Sequence, residues 1–251
     1  DYDRPDDPGA ISHFQALSAA LSATVGLGNI GGVAIAVSLG GPGAVFWMWV
    51  VGFVGMALKL TEVTLAMLYR NTEDPANPHG GSMWVVSFGL ARRAPALASL
   101  GRGIGLVFCV TLLISAVTGG NMFQAWNVAD LTREYFGVPT LVSGGILAAL
   151  SALVIIGGIQ RVGAVASRLV PVMIGLYLAG AAVVLAAHWQ AIPGLLAGIV
   201  TAAFTPTEAS GAFLGGTVGS AFLFGMKRAL FSNEAGQGSS PIAHAAARTD
   251  E

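Results

Sequence analysis

The chain has 251 residues, of which 54% are apolar and only 10% are Asp, Glu, Lys or Arg, against about 25% charged residues in ordinary soluble domains. Twelve basic and thirteen acidic residues are too few to cover a water-exposed surface, so this composition, with a mean hydropathy of +0.72, excludes a soluble globule and makes the bilayer part of the solvent. A net charge of −1 and a pI near 6.5 exclude a nucleic-acid partner.

The chain opens on Asp1, Asp3, Asp6 and Asp7, with no signal-peptide n-region, h-region or cleavage site. It reads as an internal segment whose residues 1–13 form a cytoplasmic polar lead-in. Crossing about 30 Å of hydrocarbon takes about 20 apolar residues, and six stretches qualify, giving an all-α multi-pass membrane protein. The first, 14–39, is interrupted by Gly26, Gly28, Asn29, Gly31 and Gly32. The second is 44–68, with Lys59 and Glu62 at i, i+3 on one helix face. That pair reads as a structural ion pair near the interface or as a coupling-ion site. The third, 98–128, carries the polar interruption Thr118-Gly119-Gly120-Asn121 and Gln124. The fourth is 140–159, and the fifth, 169–188, has Pro171 near its start, where a missing N–H matters least. Residues 192–204 are too few to span and form a surface or re-entrant helix. The sixth span, 213–231, is again glycine-rich and ends in Lys227 and Arg228; residues 232–251 are a polar cytoplasmic segment.

Alternating these spans places residues 1–13, 69–97, 160–168 and everything after 227 on one side, together with ten of the twelve basic residues. The excess of Lys and Arg makes that side cytoplasmic. The single cysteine, Cys109, has no disulfide partner and packs as a small hydrophobe. His13, His79 and His244 have no carboxylate or thiol at metal-ligand spacing, and His188-Trp189 reads as an interfacial pair.

Three constellations carry chemistry. Thr24-Val25-Gly26-Leu27-Gly28-Asn29-Ile30-Gly31-Gly32 matches GxGxxG literally, yet lies within an apolar stretch rather than after a strand, so a dinucleotide turn is rejected. Two readings remain. Gly28 and Gly32 form a small-xxx-small packing pair, and four glycines in seven residues, each about 1 kcal/mol worse than Ala in a helix, break the helix. Unwound backbone at membrane depth survives where it lines a cavity, with freed carbonyls for Na⁺ and helix-start N–H groups for a carboxylate. Next, Asn121, Gln124 and Asn127 form an amide strip within an apolar span, bonding either neighbouring helices or a ligand. Last, Gly211, Gly215, Gly216, Thr217, Gly219 and Ser220 suggest a second broken helix, so the first and sixth spans match the discontinuous helices of two inverted repeats.

The runs Gly28-Asn29-Ile30-Gly31-Gly32-Val33-Ala34, Gly40-Gly41-Pro42-Gly43-Ala44-Val45-Phe46-Trp47-Met48-Trp49, Gly120-Asn121-Met122-Phe123-Gln124-Ala125 and Phe231-Ser232-Asn233-Glu234-Ala235-Gly236 resemble the alanine or glycine:cation symporter family of the amino-acid/polyamine transporter group. The similarity extends over essentially the whole chain. It implies a leucine-transporter-like fold of two inverted five-helix repeats, of which this chain holds the first and the start of the second, in a cell inner membrane. It also implies Na⁺-coupled import of a small neutral amino acid such as alanine or glycine, with H⁺ as the alternative coupling ion and no covalent cofactor. By the resemblance, Gly26, Gly28 and Asn29 cradle the substrate carboxylate, and the backbone of Thr24, Val25 and Gly26 helps hold Na⁺. Gln124 reaches the substrate from the third span, and Gly216, Thr217 and Gly219 face it. Some family members carry Thr where this chain has Leu27, which offers no hydroxyl. The family's additional first helix and complete second repeat are expected outside this chain, so the segment alone is not expected to transport. A moving bundle holding the first and sixth spans is expected to give alternating access.

Two rival readings stand beside it. A channel would conduct ions without saturation by amino acid. An intramembrane serine protease would use Ser210 with His188, but Glu208-Ala209-Ser210-Gly211 lacks the glycine expected two places before the serine.

Overall fold

A backbone in hydrocarbon has no water to bond, so its N–H and C=O groups must be satisfied within the segment, and a helix does this for every interior residue. The computed structural model describes residue 4 and residues 6–205 and 218–249. The described residues contain eleven α-helices and no strand, with two isolated bridges, Ile11 to Ala247 and Asn71 to His79. In chain order the helices are α1 (His13–Thr24), α2 (Leu27–Gly40), α3 (Gly43–Leu68), α4 (Ser82–Arg93), α5 (Ala98–Ser115), α6 (Phe123–Phe136), α7 (Thr140–Ile155), α8 (Gly158–Ala187), α9 (Ile192–Phe204), α10 (Val218–Asn233) and α11 (Ser240–Ala245).

Four stretches are long and apolar enough to cross a membrane: His13–Gly40, Gly43–Leu68, Pro95–Phe136 and Gly158–Ala187. The sequence reading expected six. Two of those six are shorter as described: α7 and α10 each have 16 residues, about 24 Å at a rise of about 1.5 Å per residue. The α7 helix stops before Gly158, which takes φ +66°.

Three stretches placed outside the spans contain helix. Residues 160–168, placed between the fourth and fifth spans, are the first part of α8, which runs unbroken through Pro171. Pro171 therefore sits in the helix interior rather than near its start. The charges misled: Gly163, Ala166 and Val170 form a buried stripe while Arg161 and Arg168 are exposed, the pattern of an amphipathic helix rather than of a loop. Residues 69–97 likewise contain α4, with Arg92 and Arg93 in its last turn. Residues 232–251 contain α11, with Ser240, Pro241 and Ala245 buried.

Side-chain distribution is that of a membrane protein. Most of the buried apolar side chains among the described residues are alanines, while large ones face outward: Leu141 is 86% exposed, Ile156 82% and Phe53 74%. Lipid solvates such surfaces, and small residues let helices approach.

The chain divides into two compact units. The first comprises residues 1–23, 60–170 and 237–251. Within it, Gly101 and Gly105 of α5 lie against the backbone of α4, where a Cβ on Gly101 would stand 2.9 Å from the Val86 carbonyl oxygen. Helices α6 and α7 are joined by the Thr132 and Ser143 hydroxyls at 2.7 Å. Ile11, Ala16, Ala246 and Ala247 form a small apolar core. Arg70 secures the same region, donating to the carbonyl oxygens of Ala245, Ala247 and Thr249.

The second unit comprises residues 24–59 and 171–236. Its α2 buries Gly28, Gly32, Ala36 and Gly40, a single face at i, i+4 spacing. That face packs on α10: a Cβ on Gly40 would stand 3.1 Å from the Phe224 Cβ and 3.2 Å from the Ser220 carbonyl oxygen. Gly225 of α10 meets the Ala44 carbonyl of α3, and Gly43 meets the α9 backbone at Ala202 and Ala203. Phe46, Trp47, Phe204 and Phe222 then close the α3, α9 and α10 contacts edge-to-face, with ring centroids 5.0 to 5.7 Å apart.

Candidate functional site

The first glycine-rich segment is two helices. α1 ends at Thr24 and α2 starts at Leu27, with Val25 and Gly26 between them. Gly26 is extended (φ −151°, ψ −168°) and supplies no side-chain cap to α2, so that helix start carries uncapped N–H groups and the positive end of its dipole. Asn29 ties the break together. Its Nδ2 donates to the Thr24 carbonyl oxygen at 2.7 Å, and its backbone N–H donates to the Gly26 carbonyl oxygen at 2.9 Å. Its Oδ1 is buried with no hydrogen-bond partner among the described residues, a buried acceptor of the kind a donor or cation stabilises.

The packing and broken-helix readings therefore hold at once. The chain breaks at Val25 and Gly26, whereas Gly28 and Gly32 belong to the regular helix beyond and face α10. The group they make room for is Arg228. A Cβ on Gly28 would lie 2.6 Å from Arg228 Nη2, and one on Gly32 would lie 2.8 Å from Arg228 Cζ. Any side chain at either position displaces the guanidinium. Arg228 Nε and Nη2 are buried and have no hydrogen-bond partner among the described residues; the guanidinium stacks over Phe231, 4.9 Å from the ring centroid.

Lys59, read from sequence with Glu62, donates from Nζ to the Asn233 carbonyl oxygen at 3.1 Å, placing a cation at the C-terminal, negative end of α10. There the Ser232-Asn233-Glu234-Ala235-Gly236 run interrupts regular structure. Glu234, Gly236 and Gly238 take φ of 53°, 82° and 72°, so no helix continues through them, and α11 begins at Ser240. From sequence this run reads only as a helix end and a loop. The restart of a helix is what the structure adds.

Gln124 lies in the first unit, half-buried in the first turn of α6. Before it the polar interruption of the third stretch forms a π-type segment, Ala116–Met122, the wide turn that often marks functional sites. Asn121 is exposed within it, and Asn127 spends its Nδ2 on the Phe123 carbonyl oxygen of its own helix at 2.7 Å. An open cavity of about 230 Å³ lies beside this segment, lined by Phe108, Thr111, Leu112, Ser115 and Gln237. Gly219 is exposed at the start of α10, while Gly216 and Thr217, with Ser210 of the protease reading, lie outside the described residues. His188 pairs its Nδ1 with the Val184 carbonyl oxygen at 3.0 Å. Sequence reasoning missed Arg228. Its signal was the Gly28 and Gly32 pair, which announces a close neighbour without naming it.

The family model described as "Sodium:alanine symporter family" matches residues 2–251. The chain is 44% identical over 242 residues to the sodium/alanine symporter AgcS of Methanococcus maripaludis, covering 96% of this chain and 51% of that protein. It is 38% identical over 245 residues to the amino-acid carrier protein AlsT of Bacillus subtilis (98% of this chain, 50% of that protein). It is also 38% identical over 240 residues to the probable sodium/glutamine symporter GlnT of the same organism (96% and 47%). The chain spans about half the length of the curated relatives it matches.

Proposed function

The chain belongs to the sodium:alanine symporter family, and from that premise we propose that it forms part of a plasma-membrane carrier that moves a small neutral amino acid together with Na⁺. The observation that carries the reading is the break at Val25 and Gly26, with the buried, unpartnered Oδ1 of Asn29 beside it. A transporter needs a place at membrane depth where an ion and a zwitterion exchange their water for protein groups, and discontinuous helices provide it.

Na⁺ takes carbonyl oxygens at the break. Thr24 and Gly26 each already accept one bond from Asn29, which fixes their direction and leaves each oxygen a second lone pair. The Val25 carbonyl and Asn29 Oδ1 complete the candidate set. The uncapped start of α2 faces the substrate carboxylate, favoured by the helix dipole. The resemblance adds Gln124, Gly216, Thr217 and Gly219 as substrate contacts, and glycine at such positions suits a small side chain such as that of alanine or glycine. The reading carries with it the inverted-repeat arrangement of leucine-transporter-like carriers, in which the broken first span has its counterpart in the glycine-rich sixth span, 213–231, whose first part lies outside the described residues. Coupling follows because ion and amino acid favour the same loaded conformation.

The test is uptake of labelled alanine into proteoliposomes of the full-length protein, with and without an inward Na⁺ gradient. Saturable uptake that requires the gradient and is lost on Asn29→Ala supports the reading. Flux of Na⁺ that does not saturate with alanine, or uptake driven by an H⁺ gradient alone, overturns it.

A further inference from the structure

Charge is unevenly spread along the first unit. No Asp or Glu lies between Asp74 and Asp130, and Arg92, Arg93 and Arg102 all fall in that gap. Helices α4 and α5 run antiparallel and in contact, because Gly101 lies against the Val86 carbonyl and Ser87 while Gly105 lies against Met83. Arg102 is therefore abreast of the middle of α4, and Arg92 and Arg93 stand about 8–9 Å further along it, at a rise of about 1.5 Å per residue. All three side chains are exposed, and among the described residues no carboxylate pairs with any of them. The acidic residues of the loop before α4 are engaged locally: Glu73 accepts from Asn71 Nδ2 at 3.2 Å and Asp74 from the Ala76 N–H at 3.1 Å. Arg92 stacks over the Tyr69 ring, 5.2 Å from its centroid.

Arg102 also heads an apolar stripe. Leu106, Val110 and Leu113 follow it at i+4, i+8 and i+11, on one face of α5, and all three are exposed. The glycines that meet α4 and the residues that line the cavity, Phe108, Leu112 and Ser115, occupy other faces. From Arg102 to Leu113 the helix rises about 16 Å, close to half of a hydrocarbon core of about 30 Å. Cations at one end of an apolar stripe one leaflet long complement a single anionic phospholipid, with its headgroup on the arginines and an acyl chain along the stripe. A soluble anion would use only the arginines.

We propose that Arg92, Arg93 and Arg102, with the stripe of Leu106, Val110 and Leu113, form a binding site for an anionic phospholipid of the cytoplasmic leaflet, the side to which the excess of Lys and Arg assigns this end of the spans. The guanidinium groups donate charge-assisted hydrogen bonds to the phosphodiester oxygens, and basic residues at this depth are drawn to anionic headgroups. The site does not depend on which amino acid or ion the carrier moves.

The test uses purified full-length protein in neutral detergent, titrated with palmitoyl-oleoyl phosphatidylglycerol and separately with phosphatidylcholine of the same chains, the bound lipids being counted by native mass spectrometry. The wild type is expected to bind phosphatidylglycerol several-fold more tightly, by about fivefold for each arginine engaged. The combined variant Arg92→Gln, Arg93→Gln and Arg102→Gln should bring phosphatidylglycerol down to the level of phosphatidylcholine and leave phosphatidylcholine within about twofold. Lys at the same three positions keeps the charge and should keep most of the preference, and Arg133→Gln, outside the site, should keep all of it. Should the combined variant fail to fold, Arg102→Gln alone should lose about fivefold for phosphatidylglycerol. A preference that survives both variants overturns the proposal. Displacement of phosphatidylglycerol by inorganic phosphate, judged against chloride at equal ionic strength, overturns it in favour of a free-anion site. A wild-type protein with no preference overturns it in favour of a face covered by another part of the full-length protein.

Discussion

Replacing Asn29 by Ala separates a structural staple from a binding residue, because the two roles move stability in different ways. Truncation removes the Nδ2 bond to the Thr24 carbonyl across the break, a loss of about 1 kcal/mol. It also removes the buried, unpartnered Oδ1, whose desolvation opposes folding by about 1–3 kcal/mol. Alanine in the first turn of α2 adds a few tenths of a kcal/mol, at roughly the helix-propensity difference between the two residues. These terms sum to roughly 0–2 kcal/mol in favour of the variant, so the ligand-free variant should not melt below the wild type. The liganded protein should differ. At a ligand concentration of about 100 times Kd, binding stabilises by about 2.7 kcal/mol, and Asn29→Ala should lose most of it. The assay is thermal unfolding of the full-length protein in Na⁺ with alanine, compared with choline alone. A ligand-free melting temperature lowered by 10 °C or more, on the order of 3 kcal/mol, with the ligand-induced shift intact would refute this reasoning and make Asn29 a staple.

Two further substitutions test local structure. In the Glu234-to-Ser239 interruption, Gly236→Ala meets nothing within 4 Å and should cost only the left-handed backbone penalty, about 1 kcal/mol. Gly238→Ala carries that penalty and also drives a methyl to 2.5 Å from Ser82 Oγ and 2.6 Å from Phe108; overpacking adds about 1–3 kcal/mol, so thermal unfolding should rank Gly238→Ala well below Gly236→Ala. Arg70→Met removes the donors to the Ala245, Ala247 and Thr249 carbonyls, a loss of about 1.5–3 kcal/mol for hydrogen bonds to a charged group. Hydrogen exchange should then accelerate at residues 245–249 while α5 stays protected.

The membrane character and the interruption of the first helix are legible in the sequence for one reason: both are local. Hydropathy depends on which residues are present, and glycine weakens a helix wherever it stands. Family membership is legible for a related reason, since the runs around Asn29, Trp47, Gln124 and Asn233 are contiguous text. The sequence misjudged elements in which charge and helix coexist. Arg161 and Arg168 mark a gap between spans until Gly163, Ala166 and Val170 are seen to share a buried face, and α4 and α11 lie in stretches placed outside the spans.

What residue order could not decide is who meets whom. Gly28 and Gly32 promise a close neighbour, but only folding brings a residue 200 positions away, Arg228, onto them. Lys59 has Glu62 at helical spacing, and its ammonium also reaches the carbonyl end of α10 at Asn233, a partner no spacing rule proposes. The Ser-Asn-Glu-Ala-Gly run reads as a terminus until α11 restarts beyond it. Helix breaks and lipid-facing surfaces arise from short-range propensity and composition, so the sequence determined them alone. The seat of the Arg228 guanidinium on Gly28 and Gly32 arises from long-range packing, where one side chain's position depends on the absence of another's, and only the tertiary structure decided it.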